Sequence, residues 1–295
     1  MTIHRFVSDF SIIMIYATRL GIWDLLVKNL PYSNRAPIST PIVLMILLFC
    51  LVTGRQPLYA MSHFATQLDG GIFGLNYDLK KYGEFGDDRF ARRLDILYGI
   101  DRASLMTNMS ISMYKRANIR LDQIHNDSTS IASSGKMDND ANSGLSFKRG
   151  HNKDRRPEWK QIIFTLSTTS DGNIPVHFKT YSGNVTDDKT HIESWSALCK
   201  IKGSTDFMYV ADSKLATNEQ LCFIKNNGGK AISIMPKTWG EYNYFFIGTL
   251  KTKTHKKEFL FSRKTKGKDC RYSVYKVKEY TKQGFALHWI YSTQK

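Results

Sequence analysis

The stretch "KQIIFTLSTTSDGNIPVHFKTYSG" (160–183) decides how this chain folds. Ile162, Phe164 and Leu166 alternate with Ile163, Thr165 and Ser167, the period of a strand with two different faces. "DGNIP" supplies a turn, and "VHFKTYSG" alternates again, so the segment reads as a β-hairpin. Upstream, "LDQIHNDSTSI" (121–131) reads as a further strand, with Asp127 in its middle. A carboxylate on a strand is costly to bury unless something pairs with it, which makes Asp127 the first residue to explain. Downstream, "TDDKTHIESWSALCK" (186–200) places Ile192, Trp195 and Cys199 on one helical face, with Thr186 as the expected N-cap. "DFMYVADS" (206–213) is then a strand and "TNEQLCFIKNNGG" a helix opened by a Thr217/Gln220 capping box and stopped at Gly228. "KAISIMP" is a last strand. Strand, hairpin, helix, strand, helix, strand predicts an α/β fold of the α+β type, a mixed sheet with helices packed on it.

The first 120 residues have a different texture. "GIWDLLVKNLP" and "PIVLMILLFCL" are apolar at helical spacing, and "DDRFARRLDILYG" sets Phe90, Leu94 and Leu97 on one face. Asp87 or Asp88 is the expected cap of that helix and Gly99 its end. "IVLMILLFCLV" (42–52) falls short of the roughly 18 apolar residues a membrane span needs and reads as a buried helix. The N-terminus lacks the pattern of a signal peptide. Four scattered cysteines form no CxxC pair, which argues against a zinc site or a disulfide scaffold and for a reducing, cytoplasmic home.

The net charge is +16, and it is uneven. Residues 1–120 carry 14 basic and 9 acidic side chains, residues 121–250 carry 15 and 14, and the last 45 residues carry 13 and 3. Such an excess favours a polyanionic partner, most simply nucleic acid. The competing reading is a lysine-rich sheet edge that resists edge-to-edge pairing. After residue 240, "YNYFFIGTLKTKTHKKEFLFSRKTKGKDCRYSVYKVKEY" is aromatic and basic and reads as strands, with "KTKGKD" as a turn. Three regions follow: a helical domain over 1–118, an α/β core over 119–238, and a basic β-rich segment over 239–295.

Within the core, Asp127 lies on the first strand and Asp212 at the end of "FMYVAD", where strand gives way to loop. Strand ends are where the sites of open α/β sheets collect. On neighbouring strands the two carboxylates could share a divalent ion such as Mg²⁺, with waters and phosphate oxygens completing its shell; equally, strand-end aspartates cap helices and brace turns. There is no GxxxxGK[ST] loop and no GxSxG elbow. His125, His151, His177 and His191 are spread out and read as structural or surface residues.

Four stretches, in this order, carry a family resemblance: "FGDDRFARRLDILY", "DSTSI" (127–131), "SFKRGHNKDRRPEWKQIIFTLSTTSDGNIPVHFKTYSGNVTDDKT" and "YVADSKLAT" (209–217). Together with "RQPLYAMSHFA" they resemble bacterial insertion-sequence transposases of the Asp-Asp-Glu type, whose ribonuclease-H-like core carries a β-rich insertion. The resemblance implies metal-dependent DNA cleavage and strand transfer, with Asp127 and Asp212 as catalytic ligands of Mg²⁺ or Mn²⁺. It implies DNA as partner, a homodimer in the transposition complex, and Lys148, Arg149, Lys153, Arg155 and Arg156 as phosphate contacts in a basic loop beside the site. The family's third acid, a glutamate on a helix beyond the insertion, has no counterpart. Glu219 sits in a helix first turn, Glu241 is expected in a loop, and Glu258 and Glu279 lie in β-patterned stretches. The chain ends at "WIYSTQK", where the insertion would still be in progress, so the resemblance implies a truncated copy. The alternatives are a catalytically dead DNA-binding remnant and a nuclease whose third acid is Glu241 or Glu258.

Overall fold

The computed structural model describes residues 8–31, 36–54, 56–76, 78–83, 85–134, 144–150, 158–185, 190–252, 257–265, 268–275 and 279–293. The chain packs as two compact units. One comprises residues 1–121 with 169–177 and 200–203; the other comprises 122–168, 178–199 and 204–295.

The first unit is helical: α1 (Ser8–Arg19), α2 (Ile22–Asn29), α3 (Thr40–Thr53), α4 (Met61–Thr66), α5 (Asp87–Gly99) and α6 (Arg102–Arg116). Helix α3 is apolar on every side, which is why it lies at the centre rather than at the surface. Val43, Met45, Ile46, Phe49 and Cys50 are wholly buried. Phe49 meets Phe10 of α1 with ring centroids 4.8 Å apart and stacks on Phe73 at 5.8 Å. Among the described residues, no single helix is long and apolar enough to cross a membrane. Helix α5 starts as expected, but its N-cap is Gly86; Asp87 accepts instead from the Asp88 N–H at 2.9 Å. The acid pair therefore occupies the first turn, where the helix dipole favours it.

The second unit is built on a five-stranded mixed sheet, in the order β3 (Pro175–Ser182), β2 (Lys160–Thr169), β1 (Gln123–Ser133), β4 (Met208–Ala211) and β5 (Lys230–Ile232). β1, β4 and β5 are parallel. Gly172 and Asn173 take left-handed conformations in the β2–β3 turn, as a tight hairpin requires. Helix α7 (His191–Lys202) precedes β4, and α8 (Asn218–Asn226) lies between β4 and β5. Thr217 caps α8 by accepting from the Gln220 N–H, and Gly228 at φ +76° ends it. The expected N-cap of α7, Thr186, lies outside the described residues.

The alternation in β2 is real, but the buried row is the polar one. Thr165, Ser167 and Thr169 are wholly buried, as is Gln161, while Ile162, Phe164 and Leu166 are half-exposed. Hydrogen bonds make this burial tolerable. Ser167 accepts from Asn126 at 2.8 Å, Thr165 donates to the Lys179 carbonyl at 3.3 Å, and Thr169 donates to the Asp171 carbonyl at 2.6 Å.

The β reading of the segment after 240 needs correction at its start. "GEYNYFFIGTLKT" forms a helix, α9 (Gly240–Thr252), and Glu241 sits in its first turn rather than in a loop. Its aromatic run has strand propensity, and tertiary packing overrides it. Phe245 is buried, stacks on Trp289 at 3.7 Å with the rings 4° from parallel, and meets Tyr275 edge-on. Strands do follow: β6 (Lys257–Thr265), β7 (Lys268–Tyr275), β8 (Glu279–Tyr280), β9 (Ala286–Leu287) and β10 (Ile290–Ser292). β6 and β7 form the expected antiparallel hairpin, β10 adds to β7, and β8 pairs with β9.

Candidate active site

The register of β1 against β4 positions the two aspartates. Gln123 lies opposite Met208, His125 opposite Val210, and Asn126 opposite Ala211. The pairing ends there, and Asp127 and Asp212 are the next residue of each segment. Both line one cavity together with His125 and Val210. β4 stops at Ala211 while β1 runs on to Ser133, so the pair sits where β1 loses its parallel neighbour.

Each carboxylate is exposed and held by a nearby backbone N–H. Asp127 Oδ1 accepts from Ser128 at 2.8 Å, and Asp212 Oδ1 accepts from Lys214 at 3.0 Å. The Asp212 carbonyl also accepts from Leu215 at 3.2 Å and from the Ser233 hydroxyl just beyond β5. The loop after β4 is thereby tied down at its first residue. The pair borders a cavity of about 1310 Å³ whose other walls include Phe164, Leu166, Trp239, Phe285 and Trp289.

Behind the carboxylates, on the opposite face, lies a hydrogen-bonded layer absent from the sequence reading. Asn126, next to Asp127, bonds Ser167 of β2. Tyr209, three residues before Asp212, is wholly buried, and its hydroxyl lies 3.0 Å from His191 Nδ1 of α7. Burial, with the charges of Tyr181 and Asp212 adding to it, pushes the Tyr209 hydroxyl far above the usual phenol range. Tyr181 is raised too, first by burial and then by Glu193, whose carboxylate it contacts at 3.0 Å and which also pairs with Lys179. A phenol in a buried strand needs a polar partner, and "FMYVAD" carried that signal. His191 is the structural histidine expected.

Of the five basic residues, the structure describes Lys148 and Arg149, and it sets them at the far end of β2. Lys148 exchanges two backbone hydrogen bonds with Gln161 at 2.9 and 3.1 Å, and Gly183 donates to the Ser146 carbonyl. A Cβ on Gly150 would lie 2.0 Å from the Gly183 carbonyl oxygen, and one on Gly183 would lie 2.0 Å from that of Gln161. The two glycines let "SFKRG" press against the far end of the hairpin. From Ser167, beside the carboxylates, to Gln161 is about 20 Å along β2. Lys148 and Arg149 are exposed there, a strand-length from the aspartates rather than against them. Lys153, Arg155 and Arg156 lie outside the described residues.

Among the described residues, no glutamate lines the cavity that holds Asp127 and Asp212. Glu241 and Glu279 border an adjoining cavity of about 720 Å³ that shares Trp239, Thr281 and Leu287 with the first; Glu279 accepts from the Trp289 indole at 2.8 Å. Glu258 is exposed on β6, and Glu219 is exposed in the first turn of α8. Among the described residues, no group of three or more His, Cys, Asp or Glu side chains could hold a metal ion.

No protein-family model and no curated protein matches this chain. Among solved structures, it is similar to piggyBac transposase in a synaptic complex with hairpin DNA, at 11% identity and a TM-score of 0.36 over 97% of this chain. The chain spans about half of that protein's length, 52%. It is also similar to Mos1 transposase in a paired-end complex with the left transposon end, at 9% identity and a TM-score of 0.27, covering 70% of this chain and 62% of that one.

Proposed function

We propose that the chain is a metal-dependent phosphodiester-transfer protein acting on DNA, a transposase of the Asp-Asp-Glu type. Asp127 and Asp212 are its catalytic carboxylates. The observation that supports this reading is that they follow the last paired positions, Asn126 and Ala211, of adjacent parallel strands and line one cavity. Two exposed carboxylates at the ends of neighbouring strands suit a hard cation that keeps several waters and takes its remaining ligands from phosphate. Mg²⁺ or Mn²⁺ held between them would supply the nucleophile and neutralise charge on the phosphate.

The protein's own part is positioning. The Ser128 and Lys214 N–H groups orient one oxygen of each carboxylate, leaving the other toward solvent. The turn pinned by Ser233 keeps Asp212 at the end of β4. Lys148 and Arg149, about 20 Å along β2, lie within the span of the same duplex and would hold phosphates flanking the scissile one. Phosphoryl transfer depends chiefly on such positioning and charge neutralisation, so few other catalytic groups are needed.

A second reading is favoured by one specific observation, that among the described residues no glutamate lines the cavity of the pair: a DNA-binding transposase remnant without catalysis. Nicking of supercoiled DNA in Mg²⁺ separates the two. Nicking lost in Asp127→Ala and in Asp212→Ala supports the enzyme. Salt-sensitive DNA binding without nicking supports the remnant, and nicking that survives either substitution removes the catalytic assignment.

A further inference from the structure

The three-stranded sheet of β10, β7 and β6 carries a second feature suited to nucleic acid, distant in sequence from the carboxylate strands. Ser273 in the middle strand is paired with Phe259 on one side and Tyr291 on the other. Residues paired in register share a face, so Phe259, Ser273 and Tyr291 form one row across the sheet. Phe259 is 60% exposed and Tyr291 41% exposed. Their backbones are two strand spacings apart, about 10 Å. The two rings flank Ser273 in one row. A planar base in van der Waals contact with both rings needs about 7 Å between them, less than their backbone separation.

Cations flank that row on the same face. Lys257, paired with Tyr275, is two residues from Phe259, and Arg271, paired with Ser262, is two residues from Ser273. Each lies about 7 Å from the row along the strands, one on either side. Lys257 Nζ sits over the Tyr291 ring, 3.6 Å from its centroid, so a base stacking on that face would displace the ammonium toward the neighbouring phosphate. Lysines guarding a sheet edge would account for Lys257 but not for two large rings left in water. Exposed rings between cations are how proteins track a strand of unstacked bases; in a duplex the bases stack on one another and cannot reach such rings.

We propose that the Phe259–Ser273–Tyr291 row is a stacking site for single-stranded DNA, with Lys257 and Arg271 on the neighbouring phosphates. The proposal rests on the reading of this chain as a DNA-acting protein and gives it a second contact, one that needs no metal. The test is fluorescence anisotropy of the full chain with labelled oligothymidine and, separately, with a duplex of mixed sequence. Phe259→Ala and Tyr291→Ala should each weaken oligothymidine binding ~5- to 100-fold while changing duplex affinity less than about twofold. Phe259→Trp should keep oligothymidine affinity within about threefold of the unmodified chain. Equal losses for single strand and duplex, or no loss for either, overturn the proposal. Anisotropy is read in EDTA, where no metal-bound carboxylate is needed, so failure of the catalytic reading and failure of the stacking site give different results.

Discussion

The two faces of the five-stranded sheet are made of opposite materials. The face toward α7 is buried and, beside Ile124 and Ile163, carries hydroxyls and amides: Asn126, Thr165, Ser167 and Tyr209. The face with the cavity is aromatic and half-open, and Asp127 and Asp212 are exposed beside it. An ordinary half-buried sheet does the reverse, with apolar residues inside and polar ones in water. The inversion makes physical sense if the layers have different tasks. β1, "QIHNDSTSIAS", has too few apolar residues for hydrophobic burial to set its register, and a slip of one residue would turn Asp127 to the wrong face. Directional bonds from Asn126 to Ser167 and from Tyr209 to His191 hold what apolar packing could not.

Substitutions on the two faces should therefore separate stability from activity. The largest stability loss is expected from Trp195→Ala on the buried side, where the indole stacks on Phe207 at 6.5 Å and meets Phe223 edge-on. Truncation of a buried Trp costs about 3–5 kcal/mol, read by urea unfolding. Asn126→Ala leaves Ser167 without its amide partner and should cost about 1–3 kcal/mol, with a fall in metal-dependent nicking as β1 loses its register lock. If stability drops and nicking per folded molecule does not, the buried layer is structural only. Thr217→Ala, which removes only the α8 cap, should cost about 1 kcal/mol and leave nicking unchanged.

The smallest effect is spectroscopic. Tyr181 and Tyr209 are raised in the folded state, so they should ionise later than an ordinary phenol as the pH climbs past about 10. A raised folded-state value means their contribution to stability is complete below the unfolded-state value and is lost as pH rises through the folded one. Tyrosinate absorbance should show a late component that Tyr181→Phe and Tyr209→Phe each reduce; a single ordinary titration would mean the layer is open to water.

Local chemistry was the legible part of the sequence. The hairpin at "DGNIP", the Thr217 cap and the Gly228 stop are each decided by a few adjacent residues, and so is the strand-to-loop change at Asp212. What was hidden depends on partners far along the chain. The polar row of β2 is buried because Asn126 and the β3 backbone satisfy it. The aromatic run after Trp239 is helical because Phe245 stacks on Trp289. The basic "KRG" lies far from the carboxylates because Gly150 and Gly183 allow a backbone contact that no periodicity announces. The neighbourhood of Asp127 and Asp212 could be expected from strand order, but the cavity they share needed the fold.

The central claim is that these two carboxylates hold one ion between them. Mn²⁺ titration of the full chain, followed by electron paramagnetic resonance, tests it most directly. Asp127→Asn and Asp212→Asn should each weaken Mn²⁺ binding at least ~10-fold, and the double substitution should lose little more than either single one, because both remove the same site. Unchanged binding in either single variant, or losses that simply add, would contradict a shared metal site.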